Sequence, residues 1–496
     1  MLSIMMVLGM ASVVSAEGTT ISGKYEDNSG TITISDAIKD HTYTIYRILK
    51  LESFSKTDTT GNYAYKAETN WGDFIKNAKT NDNKSYLVED NSGYVTWNTE
   101  VTQDDANKIE FAKKALEYAK DTNHNVTAVG TATATETGVT FSNLPLGYYL
   151  VDSSVGALCS LNTTAKDATI EEKNGVPSVE KKVQEDSTNN WGASNTADIG
   201  QTVNFKTTIT AQPGAQNYVL HDKMDAGLTF NTNSVQVKLK KDTETTETVV
   251  DVSNYEVKTS GLEDSNPCTF HVEFKKEFCN TLAANDQIIV TYSATLDDNG
   301  VPKQEYKNET WLKYGENSNT THDTTTTKTY SIPVFKYTMK NSTETPLAGA
   351  TFTLSKKSDG LDPINLVSVS QDDTTGDIYR VAKENETTGT TKTTVTTTAS
   401  GKFTIQGLDA DTYYLTETQQ PAGYNKLKDP VQVVIDGNGN ITIGTATTTT
   451  TEVKVENKTG SILPSTGGSG TTLIYILGAI LVLGSSVVLI TTTRMR

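Results

Sequence analysis

Apolar and polar residues alternate with a period of two over short runs along most of the chain. That is the mark of half-buried strands, whose successive side chains face opposite sides of a sheet. Thr202–Thr210 and Gln287–Leu296 are clear cases, and Asp298-Asn299-Gly300 supplies a turn signal soon after the second. Helical periodicity is sparse. Its best instance is Ala106–Lys120 (ANKIEFAKKALEYAK), with Ile109, Ala112, Leu116 and Tyr118 among the apolar positions. Thr137–Asp152 and Ser400–Glu417 echo each other as a strand, a turn and a Tyr-Tyr-Leu strand, so the first and last domains are expected to share a fold. Between them lies a longer unit whose far border is the Thr-rich run Asn319–Thr329, which lacks apolar anchors and reads as a linker. The pattern predicts an all-β chain of three tandem immunoglobulin-like β-sandwich domains, with one or two helices inserted in the first.

Both ends depart from this pattern. Residues 1–16 (MLSIMMVLGMASVVSA) form an apolar run closing on the small residues Val14-Ser15-Ala16, as a secretory signal peptide does. Near the other end, Leu463-Pro464-Ser465-Thr466-Gly467 precedes an apolar span from Leu473 to Ile490 and a tail containing Arg494 and Arg496. The span is just long enough to cross a bilayer, and the arginines would hold it from the cytoplasmic side. The expected divisions are 1–16 signal peptide, 17–176, 177–327 and 328–460 as three domains, and 461–496 as a terminal signal with a transmembrane helix.

Bulk properties narrow the function. A formal net charge of -17 argues against a nucleic-acid partner, since phosphate binding needs a basic face. Richness in Thr, Val, Tyr, Asn and Gly favours β-structure. Cys159, Cys268 and Cys279 are too few for a disulfide scaffold, although the last two could pair. The histidines (His41, His124, His221, His271, His322) show no paired ligand spacing, so no metal site or cofactor is expected. Asp436-Gly437-Asn438-Gly439-Asn440 looks faintly like a calcium loop, but it sits between two apolar runs and reads as a hairpin turn.

Candidate chemistry comes from polar residues caught on the inward phase of strands. In the last domain Val334 shares a face with Lys336, Tyr413 and Leu415 with Glu417, and Val453 and Val455 with Asn457. A strand that buries its valines must bury these partners too. Unpaired charge in an apolar core costs several kcal/mol, so the expectation is that desolvation lowers the lysine pKa and raises that of the acid. A neutral Lys336 amine could then attack the Asn457 carboxamide, with protonated Glu417 polarising it and shuttling protons, to leave an amide and ammonia. The middle unit repeats the logic with Lys181 beside Val179 and Val183, Asp222 beside Leu220, and Asn308 beside Tyr306 and Leu312. Lys182 competes with Lys181 but points outward if the valines point in. Asp152 stands at the position of Glu417, without a convincing lysine and asparagine, so no internal bond is expected in the first domain.

These residues carry resemblances. Leu463–Gly467 with the span and tail behind it resembles the LPxTG cell-wall sorting signal, which implies that a sortase cysteine attacks the Thr466 carbonyl, releases Gly467 onward and passes the acyl group to an amine. Val334-Phe335-Lys336, Tyr414-Leu415-Thr416-Glu417-Thr418 with Pro421-Ala422-Gly423-Tyr424, and Val455-Glu456-Asn457 resemble the lysine strand, E-box and asparagine strand of the CnaB-type domain of Gram-positive adhesins and pilins. Asp222 with Gly227-Leu228 resembles the corresponding segment of the CnaA-type pilin domain, implying a Lys181–Asn308 bond. The pilin family places its polymerising lysine in a Tyr-Pro-Lys-Asn motif between the first two domains. Here Glu171-Glu172-Lys173-Asn174 keeps only Lys-Asn, which implies Lys173 as the linkage residue, with Lys182 or another nearby lysine as the alternative. The resemblance implies a non-enzymatic shaft subunit of a sortase-assembled surface pilus, exported and wall-anchored. Its implied partners are pilin-class and housekeeping sortases and identical subunits, with minor pilins and a host ligand as further partners it allows. A monomeric wall-anchored adhesin or pilus-base protein is the alternative.

Overall fold

A computed structural model describes residues 21–24, 28–56, 61–135, 138–153, 156–158, 167–172, 175–212, 216–260, 267–297, 304–315, 318–383, 386, 391–459, 474–483 and 485. The expected signal peptide, Cys159, Lys173, the Asp298-Asn299-Gly300 turn and Leu463–Gly467 lie outside them. Of the expected apolar span, 474–483 and 485 are helical. Among the described residues no helix is long and apolar enough to cross a membrane. By its internal contacts the chain falls into two compact units, the first mainly the residues up to Tyr330 and the second mainly those from Ser331 onward.

The protein is an all-β molecule of packed sheets, as the period-two pattern predicts. In its first part, a three-stranded sheet (Asp167–Glu171, Asn28–Ser35, Gly138–Pro145) pairs its first and last strands in parallel. It packs on a six-stranded sheet built around the long strand Thr42–Lys56. Ile32, Ile34, Tyr43, Ile45, Phe141 and Val151 fill the space between. Helices Gly72–Asn77 and Asp105–Lys120 cover the other face of the larger sheet, where Trp71, Phe74, Phe111 and Ala115 pack on Ile48 and Leu150. The long helix begins at the expected place because the Asp104 carboxylate caps it by accepting from the Asn107 N–H at 2.9 Å.

The middle part of the first unit has two seven-stranded sheets. One centres on Ser178–Gln184, Thr202–Thr210 and Gln287–Leu296, the other on Val219–Met224, Glu305–Tyr314 and Asp323–Lys328. This last strand corrects the expectation of a linker across the Thr-rich run. Asp323–Lys328 pairs antiparallel with Glu305–Tyr314 and parallel with Ser194–Thr196, burying Thr325 and Thr327. Threonine is β-branched and carries a methyl group, so alternate threonines can face a core without any large apolar residue.

In the second unit a seven-stranded sheet holds the first strand, Tyr330–Lys340, and a five-stranded sheet holds Thr351–Ser355 and Thr412–Gln419. The last strand, Val453–Glu456, joins the first in parallel, the same closure seen in the first domain. The two echoing stretches share a further feature. Gly138–Pro145 and Gly147–Ser153 belong to different sheets, and so do Lys402–Leu408 and Thr412–Gln419. Asp436–Asn440 is a hairpin turn, its Asp436 carboxylate accepting from the Asn438 and Asn440 amides at 2.9 and 2.8 Å.

Candidate functional site

Lys336, Glu417 and Asn457 meet in the core of the second unit, each almost wholly buried. The parallel pairing sets Lys336 beside Val455, and the Asn457 N–H donates to the Tyr337 carbonyl at 2.9 Å, so lysine and asparagine leave one sheet side by side. Glu417 belongs to the five-stranded sheet, opposite Phe352 in register. Lys336 Nζ donates to Asn457 Oδ1. Asn457 Nδ2 donates to Glu417 Oε1 at 2.9 Å, and the same carboxylate oxygen lies 3.3 Å from Lys336 Nζ. Glu417 Oε2 accepts the Leu427 N–H at 2.8 Å, which fixes the carboxylate from behind. Burial pushes the Lys336 pKa down, against the opposing pull of Glu417.

Local sequence explains the access. Gly401 has φ +69° and its carbonyl accepts the Lys336 N–H at 2.7 Å; a Cβ there would lie 2.4 Å from the Lys336 carbonyl oxygen. Only glycine allows that approach. After Glu417 the chain turns through Gly423 at φ +85°, and the Asn425 N–H donates to the Lys458 carbonyl at 3.0 Å, bringing the E-box segment against the asparagine strand.

In the first unit, Lys181, Asp222 and Asn308 are likewise buried in the middle sandwich. Lys181 Nζ donates to Asp222 Oδ2 at 2.5 Å, while Lys182 points away and pairs with Glu180 at 2.9 Å. Burial drives the Lys181 pKa down and the Asp222 pKa up, both towards a neutral pair. Gly227 at φ +106° is the glycine of the aspartate segment. A Cβ on it would fall 2.5 Å from the Tyr306 ring, so that close approach needs glycine.

One member of this cluster escaped the sequence reading. Tyr292 accepts from Lys181 Nζ and donates to Asp222 Oδ2, and Asn308 Nδ2 lies 3.5 Å from its hydroxyl. Its signal was in plain sight. Ile288, Val290, Tyr292, Ala294 and Leu296 are the inward phase of one strand, and a buried tyrosine hydroxyl requires a partner. The ring packs edge-on against Phe270 at 5.0 Å and stacks on Phe205 at 5.6 Å. Tyr292→Phe keeps that packing and removes one hydroxyl from a buried hydrogen-bonded cluster. We expect a loss of about 1–3 kcal/mol, read by equilibrium denaturation.

Asp152 shows why the first domain differs. It shares the strand phase of Leu150, but that face meets the helices rather than the opposing sheet. Its partner is Lys120 from the long helix, at 2.9 Å and partly exposed. Two of the histidines, far apart in the sequence, come together in the fold. His221 and His271 stand opposite one another on neighbouring strands with Cys268 beside them. Cys268 and Cys279 are both buried and not joined by a disulfide, so the pairing that spacing allowed is not made.

The T6 backbone pilin of serotype M6 Streptococcus pyogenes is similar at 16% identity and TM-score 0.47, over 82% of this chain and 80% of that one. The full-length RrgB pilus protein from Streptococcus pneumoniae is similar at 13% identity and TM-score 0.43, over 89% of this chain and all (100%) of that one. The Corynebacterium diphtheriae major pilin SpaA gives 15% identity and TM-score 0.43, over 86% and 100% respectively. Among curated proteins nothing matches. Residues 334–451, which hold Lys336 and Glu417, match the family of SpaA prealbumin-like fold domains.

Proposed function

We propose that the chain is a structural shaft subunit of a covalent surface pilus, exported and finally anchored to the cell wall. Its domains are 17–176, a CnaA-type 177–327 and a CnaB-type 328–460, with 1–16 removed on export and 461–496 serving as a temporary tether. A sortase cleaves after Thr466 and passes its carbonyl to Lys173 of the next copy, joining identical subunits head to tail. Internal amides, Lys336 to Asn457 and Lys181 to Asn308, brace two of the domains. The observation that carries this reading is the buried meeting of Lys336, Glu417 and Asn457 in the domain directly before the LPSTG segment.

The chemistry is a single intramolecular substitution at each site. Burial favours the neutral amine of Lys336, which attacks the Asn457 side-chain carbonyl carbon. Glu417 Oε1, within reach of both nitrogens, takes the proton from the attacking amine and delivers it to the departing one. Lysine amine and asparagine carboxamide become one amide and one ammonia. Positioning supplies most of the rate, since the reactants are held in contact by the fold itself. Asp222 takes the place of Glu417 in the middle domain, and Tyr292 bridges it to Lys181. Neither site turns over.

Co-expression with the cognate sortase tests the function. A ladder of SDS-resistant multimers is expected from the wild type and none from Lys173→Ala. A ladder that survives the substitution would move the linkage to another lysine. No ladder from the wild type would overturn the shaft role in favour of a monomeric anchored adhesin.

A further inference from the structure

The middle domain carries a second constellation, on the opposite face of the sheet strand that bears Asp222. His221 precedes Asp222 and so points the other way; it stands opposite His271 in register, and Cys268 lies just before the His271 strand. All three are buried, and one ligating atom from each lies within 4.8 Å of the other two. His221 Nδ1 is 3.5 Å from Cys268 Sγ. Zinc–nitrogen bonds of about 2.0–2.1 Å and a zinc–sulfur bond of about 2.3 Å would separate two tetrahedral ligands by roughly that distance.

Two further features favour a ligand. His271 Nε2 is 3.1 Å from Glu273 Oε1, so its proton sits there and Nδ1 keeps its lone pair. That Nδ1 is buried with no hydrogen-bond partner among the described residues. A carboxylate that orients one ring nitrogen while the other faces a metal is the usual support of a histidine ligand. Trp311 stacks on the His221 ring at 5.0 Å, with planes 1° apart, and fixes its orientation.

We propose that His221, Cys268 and His271 form a binding site for one thiophilic transition-metal ion of the zinc(II) class, completed by water. One thiolate and two imidazoles suit such an ion and not calcium or magnesium, which prefer oxygen. Binding replaces the Cys268 thiol proton, released to solvent, with a metal–sulfur bond, and ties the Cys268 loop to two strands.

Equilibrium dialysis of the full chain, kept reduced, against zinc(II) should give one bound ion per chain, and none for Cys268→Ser. Glu273→Gln should weaken binding by about tenfold or more. With cobalt(II) as the probe, the wild type should develop thiolate-to-cobalt charge-transfer absorption, which needs no variant to interpret. Thermal melts in chelator check that each variant folds. Zinc bound equally by wild type and a folded Cys268→Ser, or cobalt bound without the charge-transfer band, would overturn the site.

Discussion

Glu417→Ala is expected to leave Lys336 and Asn457 unjoined and to lower the stability of the last domain by on the order of 4–5 kcal/mol. The size follows from what the bond constrains. It closes a loop spanning 121 residues, and the chain-entropy estimate for a cross-link over about 100 residues is about 4.7 kcal/mol. For a domain of this size that corresponds to a melting midpoint lower by about 15–20 °C in calorimetry. Glu417→Gln separates chemistry from packing. Glutamine can still fill the volume and accept the Leu427 N–H, yet it cannot ferry a proton between the two nitrogens. If the glutamine variant melts like the wild type, proton transfer by Glu417 is not needed. If the alanine variant does so as well, no cross-link depends on it.

Asp222→Ala should have a still larger effect in the middle domain, for a related reason with a different balance. Lys181 and Asn308 close a loop of similar length, so the entropic contribution is again about 4–5 kcal/mol. Here the acid also holds the lysine directly, at 2.5 Å, and accepts from Tyr292. Its removal therefore leaves a buried amine and a buried hydroxyl each short of one partner as well as an unformed bond, each adding about 1–3 kcal/mol. Limited proteolysis should show the middle domain cut at a protease concentration that leaves the wild type whole. A variant as resistant as the wild type would contradict this.

Much of this was legible in the chain because strand phase is a local property. Lys336, Glu417 and Asn457 each sit two residues from a buried Leu or Val on a period-two run, and that spacing alone placed them inside. Lys181 was separated from Lys182 in the same way. What strand phase leaves open depends on neighbours distant in sequence. Asp152 has the correct phase, yet which layer covers that face is decided by where the long helix docks. His221 and His271 are 50 positions apart, and only the antiparallel register makes them adjacent. The Thr-rich run was misjudged because a strand was sought through large apolar residues, whereas alternate threonine methyl groups sufficed. Tyr292 has the same inward phase as the charged groups, and its hydroxyl makes it a buried polar residue by the same reasoning.

The most direct measurement is the intact mass of the processed chain, set against the mass of its own composition. The wild type should be lighter by two molecules of ammonia, Glu417→Ala and Asp222→Ala by one each, and the double variant by none. A wild-type mass equal to the unreacted composition would contradict the account at its root.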